Sequence, residues 1–64
     1  MDKKIIGQRI KKLRGNRSMR AVADACGISK STLAMYETGQ RVPKDEIKIR
    51  IAKFFDVSVE TLFF

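Results

Sequence analysis

Apolar side chains recur at intervals of three and four residues near the start of the chain. They are Ile6, Ile10 and Leu13. This spacing predicts an amphipathic helix over residues 3–14. Gly7 lies inside that helix at some cost in helix stability, and its small size favours close approach of a second helix. Gly15 and Asn16 both tolerate a positive φ and are expected to end the helix.

Polar caps and glycines delimit four more helices. Their predicted bounds are Met19–Cys26, Lys30–Glu37, Lys44–Phe55 and a short fifth helix that follows its cap, Ser58, and runs through Leu62. Serines at 18, 29 and 58 are good N-caps, and Pro43 suits the first turn of the fourth helix. That helix has its predicted buried stripe at Ile47, Ile51, Phe54 and Phe55. Short connections between short helices predict a compact all-α domain, a five-helix bundle over residues 1–64.

Length and residue types exclude several classes of protein. A chain of 64 residues forms one small core, and its longest uncharged stretch, Ser31 to Tyr36, is too short to cross a membrane. With one cysteine, Cys26, and no histidine, we expect no disulfide, metal or cofactor. Cys26 itself is expected in the core. No catalytic constellation is visible, so we predict that the protein is not an enzyme. The N-terminus has no apolar signal core, so we expect a cytoplasmic protein.

Positive charge is concentrated at the start of the chain. Residues 1–20 contain eight basic residues and one acidic residue, whereas residues 21–64 contain six of each. The whole net charge of +7 therefore lies in the first helix and the entry to the second. A localised basic surface indicates a polyanionic partner, although a solvated helix face that aids solubility has the same pattern.

Residues 19–38 have the residue types that a helix-turn-helix requires. Two short helices must cross closely, and Ala23 is small enough for the crossing. Gly27 suits a left-handed residue in the tight turn. The apolar residues that would fix the second helix on the first are Val22, Ile28, Leu33 and Tyr36. Ser31, Ala34 and Met35 are left facing outward, where they fit a major groove. An ordinary helical hairpin capped by Gly27 remains an alternative.

Linked motifs along nearly the whole chain resemble the phage repressor and Cro-type (XRE-like) helix-turn-helix regulators. They are Ile6–Arg14, Gly27–Leu33, Tyr36–Gly39, Pro43, Ile51–Lys53 and Val57–Phe63. The resemblance is greatest to small stand-alone regulators of bacteria and prophages. It implies double-stranded DNA as the partner and transcriptional regulation, with repression favoured, as the function.

The resemblance also implies residue roles. Base contacts are expected from Lys30, Ser31, Ala34 and Met35, and phosphate contacts from Arg17, Ser18, Ser29, Thr32, Gln40 and Arg41. Arg14 and Glu37 resemble a pair that links the first helix to the recognition helix. Two features depart from the family. The segment between Leu13 and Ser18 is about two residues shorter than usual, and Met19 replaces a frequent glutamine that contacts the DNA backbone.

The resemblance implies a homodimer that reads two half-sites. The apolar residues available for its interface are Phe63, Phe64 and, less directly, Ile49; Phe63 or Phe64 could instead fold back onto the first and fourth helices. An adaptor or antitoxin-like interaction module, or a regulator with a protein partner, would use the same surface. Duplex RNA is a third candidate partner, disfavoured because its major groove is deep and narrow.

Overall fold

The computed structural model describes residues 2–64, and within that range all regular structure is helical. The helices are α1 (Lys3–Arg14), α2 (Met19–Cys26), α3 (Lys30–Glu37), α4 (Asp45–Phe55) and α5 (Val59–Phe63). The predicted all-α, five-helix architecture is confirmed. The bounds of α1, α2 and α3 are those predicted, and the other two helices differ by one residue at an end.

Side-chain caps explain where most of these helices begin. The hydroxyl oxygens of Ser18, Ser29 and Ser58 each accept a hydrogen bond from a backbone N–H three residues ahead, and the Asp2 carboxylate accepts one from Lys4. Such caps satisfy N–H groups that have no partner within the helix. The fourth helix differs from the prediction because Lys44 is its N-cap, so Pro43 precedes the helix and does not lie in its first turn.

Within residues 2–64, three helices end at a residue with a positive φ. Gly15 and Gly27 have φ of 57° and 71°, as the sequence predicts for these glycines. Asn16 is not among the positive-φ residues, so Gly15 alone makes that turn. The structure adds Asp56 (φ 57°), which ends α4 in the left-handed conformation. Asp is one of the few side chains other than glycine that visits this region.

One apolar cluster joins all five helices. Its fully buried members include Ile10, Val22, Leu33, Ile51 and Phe63. The sequence predicts that Phe54 is buried as part of the apolar stripe of α4. In the structure Phe54 is 38% exposed, so that prediction is wrong for Phe54. Its ring instead packs edge to face on Phe55, with centroids 5.0 Å apart. No helix in residues 2–64 combines the length and apolar character needed to span a membrane.

Helices α1 and α3 approach each other closely at Gly7. A β-carbon built on Gly7 would lie 2.5 Å from the carbonyl oxygen of Tyr36 and 2.6 Å from that of Glu37. Both are backbone atoms at the end of α3, so neither can move aside as a flexible side chain would. The predicted close approach is confirmed, and α3 is the helix that makes it.

We expect Gly7→Ala to destabilise the protein although alanine is the better helix former. The added methyl forces α1 away from α3, and overpacking of this kind costs about 1–3 kcal/mol. Thermal unfolding measures the loss, with Gln8→Ala as the control because Gln8 is the exposed neighbour on the same helix. A melting temperature of Gly7→Ala equal to or above that of the wild type would contradict the close contact.

Candidate nucleic-acid interface

One face of α3 is turned away from the core. Lys30 and Ser31 are exposed, and Ala34 and Met35 are half-buried. Residues spaced by three and four positions are neighbours on a helix surface, so these four side chains form one continuous face. It combines a cation and a hydroxyl at the N-terminal end with small or unbranched apolar side chains further along. These groups suit the donor, acceptor and methyl pattern of base edges.

The opposite face of α3 is fixed to α2. Leu33 is fully buried and Tyr36 is 4% exposed, and both contact the same cluster as Val22 and Ala23. Ala23 is 1% exposed, which agrees with the small side chain predicted at the helix crossing. The turn between the helices is closed by Gly27, whose N–H donates to the carbonyls of Ala23 and Asp24. The helix-turn-helix geometry predicted from the spacing is thus present.

Hydroxyl groups at the helix starts are not equally free to bind phosphate. Ser29 Oγ accepts from the Thr32 N–H at 3.0 Å and donates to Thr32 Oγ1 at 2.8 Å. Its proton is therefore already used, whereas the Thr32 hydroxyl keeps a proton to donate. Ser18 Oγ accepts from the Ala21 N–H at 3.0 Å, which leaves its own proton available. Of these three hydroxyl groups, those of Ser18 and Thr32 keep a proton that is not used within the protein.

The loop after α3 is tied back to the helix. The Met35 carbonyl accepts from the N–H groups of Gln40 and Arg41 at 2.9 and 3.3 Å. Gln40 Nε2 donates to Thr38 Oγ1 at 3.1 Å, and Thr38 in turn donates to the Ala34 carbonyl. These bonds place the exposed side chains of Gln40 and Arg41 beside the C-terminal half of α3. The sequence did not predict the contribution of Thr38.

Arg17 is held by contacts within the protein. Its Nη1 donates to the Leu13 carbonyl at 2.9 Å, and its guanidinium carbon lies 5.7 Å from the ring centroids of both Phe54 and Phe55. Cation–π contacts of this kind contribute about 0.5–1 kcal/mol at exposed sites. They brace the short connection between α1 and α2, so a phosphate bound by Arg17 would meet a guanidinium already fixed in place.

Apolar packing fixes the first residue of α2. Met19 is half-buried and packs against the core cluster. A thioether makes only a weak hydrogen-bond acceptor and no donor, so this position supports α2 from within. Of the groups at the start of α2, the Ser18 hydroxyl and the first backbone N–H groups remain to meet an anion.

An ion pair links α1 to α3. Arg14 Nε lies 2.7 Å from Glu37 Oε2 and Arg14 Nη2 lies 3.1 Å from Glu37 Oε1, which is the bidentate geometry expected of arginine and carboxylate. The Glu37 side chain is only 3% exposed. Hydrogen bonding to Glu37 raises the pKa of Arg14, and the charge of Glu37 adds to this against the lowering effect of burial. Arg14 Nη1 also donates to the Arg17 carbonyl at 3.0 Å.

The cysteine thiol and the possible metal ligands of the chain are the candidate sites of other chemistry. Cys26 is buried in the core cluster as an unpaired cysteine, and burial raises the pKa of its thiol. Its thiolate, the reactive form, is therefore scarce at neutral pH. Among residues 2–64, no three Asp, Glu, His or Cys side chains are grouped closely enough to hold a metal ion.

Comparison with known proteins assigns the family. The profile of the helix-turn-helix family matches residues 10–62. The chain belongs to the helix-turn-helix family, as an XRE-like member of the phage repressor and Cro type. The fold is similar to the high-resolution crystal structure of the restriction-modification controller protein C.AhdI from Aeromonas hydrophila. The TM-score is 0.88, with 28% sequence identity over 97% of each chain. The search of curated proteins finds no match.

Membership in this helix-turn-helix family establishes the general function. The chain is a DNA-binding protein of transcription regulation. The bidentate pair between Arg14 and Glu37 and the outward face of α3 stand at the positions that the resemblance in sequence indicated. The family assignment leaves open which side chains contact bases and which contact phosphates.

We expect the loss of Arg14 alone to cost more stability than the loss of both partners. Arg14→Met leaves the Glu37 carboxylate buried without its partner, which costs about 3–5 kcal/mol. The double variant Arg14→Met, Glu37→Leu removes the stranded charge and should recover much of that loss. A double-mutant cycle measures this. It compares the free energies of unfolding in urea of the wild type, Arg14→Met, Glu37→Leu and the double variant. A double variant less stable than Arg14→Met would contradict the account.

Proposed function

We propose that this helix-turn-helix protein is a sequence-specific repressor that inserts α3 into the DNA major groove. The observation that carries the proposal is the outward face of α3, with Lys30 and Ser31 exposed at its N-terminal end. Lysine donates to guanine O6 or N7, serine pairs with several bases, and Ala34 or Met35 can contact a thymine methyl. The likeness to a controller protein supports a regulatory role.

Phosphate contacts would orient the helix in the groove. We assign these contacts to Ser18, Thr32, Gln40 and Arg41, and the N-terminal N–H groups of α2 and α3 would add partial positive charge. The eight basic residues within positions 1–20 would attract the duplex over a longer range. Repression then requires only that the bound protein occupy the site and exclude other proteins from it.

We further propose that the repressor binds as a symmetric homodimer, because one recognition helix reads too few base pairs for a unique site. The apolar residues Ile49 and Phe64 are 52% and 69% exposed. They line one shallow groove, the α4–α5 patch, together with Asp45, Lys48 and Val59. Lys48 Nζ lies 5.1 Å from the centroid of the Phe64 ring. A patch used by both subunits of a twofold dimer must complement itself, which such a groove and ring can do.

The structure corrects one residue of the predicted interface. Phe63 is 1% exposed and belongs to the core cluster of its own subunit, because α5 turns its ring toward the interior. It has no surface to offer a partner. The proposed interface is therefore narrowed to Phe64 and Ile49.

Specific recognition predicts that base-contacting and phosphate-contacting residues affect DNA affinity differently. Lys30→Ala and Ser31→Ala should each cost about 1–3 kcal/mol on a site selected from random DNA, and much less on unselected DNA. Arg41→Ala should weaken both equally and reduce the salt dependence. Lys53→Ala is the charge-matched control for Lys30→Ala on α4. Gel shifts with duplex DNA and duplex RNA competitors measure these affinities.

Three results of these gel shifts would contradict the proposal. Equal losses for Lys30→Ala on selected and unselected DNA would place Lys30 among the phosphate contacts. Binding to duplex DNA that is undetectable at low salt would favour the interaction-module alternative. Preference for duplex RNA over DNA would exclude reading by α3 in a major groove.

Dimerisation is expected to depend on the α4–α5 patch. Ile49→Ser and Phe64→Ser should shift sedimentation toward the monomer and abolish cooperative binding to two half-sites about 34 Å apart. Ile5→Ser is the matched control, because Ile5 is also an exposed isoleucine on a helix surface, at 42% exposure. Wild-type protein that binds such sites one subunit at a time, whatever their spacing, would contradict the dimer.

A further inference from the structure

A second groove lies between α1 and the segment that contains α5. Its volume is about 620 Å³, and its lining residues are Arg9, Lys12, Leu13, Val57, Thr61 and Leu62. None of these six residues lines the groove assigned above to the dimer. None of them belongs to the proposed DNA-reading face. The groove is therefore a surface that the proposed function does not use.

The groove and α3 lie on opposite flanks of α1. Successive residues of an α-helix are rotated by about 100° around its axis. Gly7 faces the end of α3; Arg9 is therefore rotated about 200° from it and Lys12 about 140°. Lys11 is rotated only about 40° from Gly7 and lies toward the α3 flank. A molecule in the groove could consequently be bound while α3 is on DNA.

The chemistry of the groove combines an apolar floor with two cations. Leu13, Val57 and Leu62 supply the floor, and Arg9 and Lys12 supply the charge. All six lining residues are described, and none is acidic. Arg9 Nη1 donates to the Thr61 carbonyl at 3.0 Å, which fixes the guanidinium at the edge of the groove. A cation held in this way loses little conformational entropy when it binds an anion.

We propose that this groove docks an acidic amphipathic helix of a regulatory partner protein, on the side of the repressor away from DNA. The groove is open to solvent, which suits the apolar face of a helix better than a small molecule that needs enclosure. Arg9 and Lys12 are three residues apart on α1, so their side chains are neighbours. The partner helix carries aliphatic residues for the floor, flanked by carboxylates one turn apart that pair with these cations.

The probe is a synthetic dodecapeptide, acetylated and amidated, with leucines at helical spacing of three and four and glutamates beside them. It is titrated into the ¹⁵N-labelled full chain, both free and bound to duplex DNA. We expect saturable amide shifts at the groove, around Leu13, Val57 and Leu62, with similar affinity in both states. Measurement on the free chain makes the result independent of whether the proposed DNA site is correct.

Two charge-reversal variants make a matched pair. Lys12→Glu should weaken peptide binding about fivefold or more, which corresponds to about 1 kcal/mol, whereas Lys11→Glu should leave it unchanged. Both variants reverse one charge on the same helix. Because Lys11 lies toward the α3 flank, Lys11→Glu should weaken binding to DNA at least as much as Lys12→Glu. Unfolding curves check that both variants retain the fold.

Several results would overturn the proposal. They are no saturable shifts with the acidic peptide, equal weakening by Lys11→Glu and Lys12→Glu, or equal binding of a peptide with lysine in place of every glutamate. Equal affinity for decanoate would assign the groove to small carboxylates. If the chain without peptide sediments as a dimer and Lys12→Glu abolishes that dimer, the groove binds a second copy of the chain.

Discussion

The approach of α1 to α3 at Gly7 is the contact on which the arrangement of the recognition helix depends. Only a residue without a β-carbon lets the two backbones come this close, because the nearest atoms are carbonyl oxygens of Tyr36 and Glu37. The bidentate pair between Arg14 and Glu37 lies two turns further along α1 and sets the rotation of α3 about its axis. With the inner face of α3 fixed in this way, its outer face is presented as a rigid surface.

The sequence predicted this framework because its signals are local. N-cap serines, the glycine at 27 and the apolar spacing each act within one or two helical turns, so helix bounds and the turn followed directly from them. The paired roles of Arg14 and Glu37 came from resemblance, since 23 positions separate them. What the sequence missed depends on tertiary packing. The period of α4 gives Phe54 the same chance of burial as Phe55, and only the tertiary structure shows that Phe55 packs against the core cluster while Phe54 stays at the surface.

Three surfaces of this small DNA-binding domain have different chemistry. The α3 face is polar at one end and apolar at the other. The α4–α5 patch combines aromatic and aliphatic side chains with the charged pair of Asp45 and Lys48. The groove beside α1 is apolar with two cations, of which Arg9 is held by the Thr61 carbonyl. A core this small leaves little stability to spare, so burial of Ile49 and Phe64 by a second subunit would also stabilise the fold. In the proposed function, the positive charge of α1 would attract DNA at long range, and Arg9 and Lys12 on its far flank would bind the acidic partner helix.

Selection of bound duplexes from a random DNA pool tests the central claim most directly, because it presupposes neither a site nor a partner. The account predicts an enriched motif with twofold symmetry whose half-site centres lie about one helical turn, or 10–10.5 base pairs, apart. Repeating the selection with Lys30→Ala should relax the motif at one position in each half-site. A pool that yields no enriched motif, or one that Lys30→Ala leaves unchanged at every position, would contradict reading by α3.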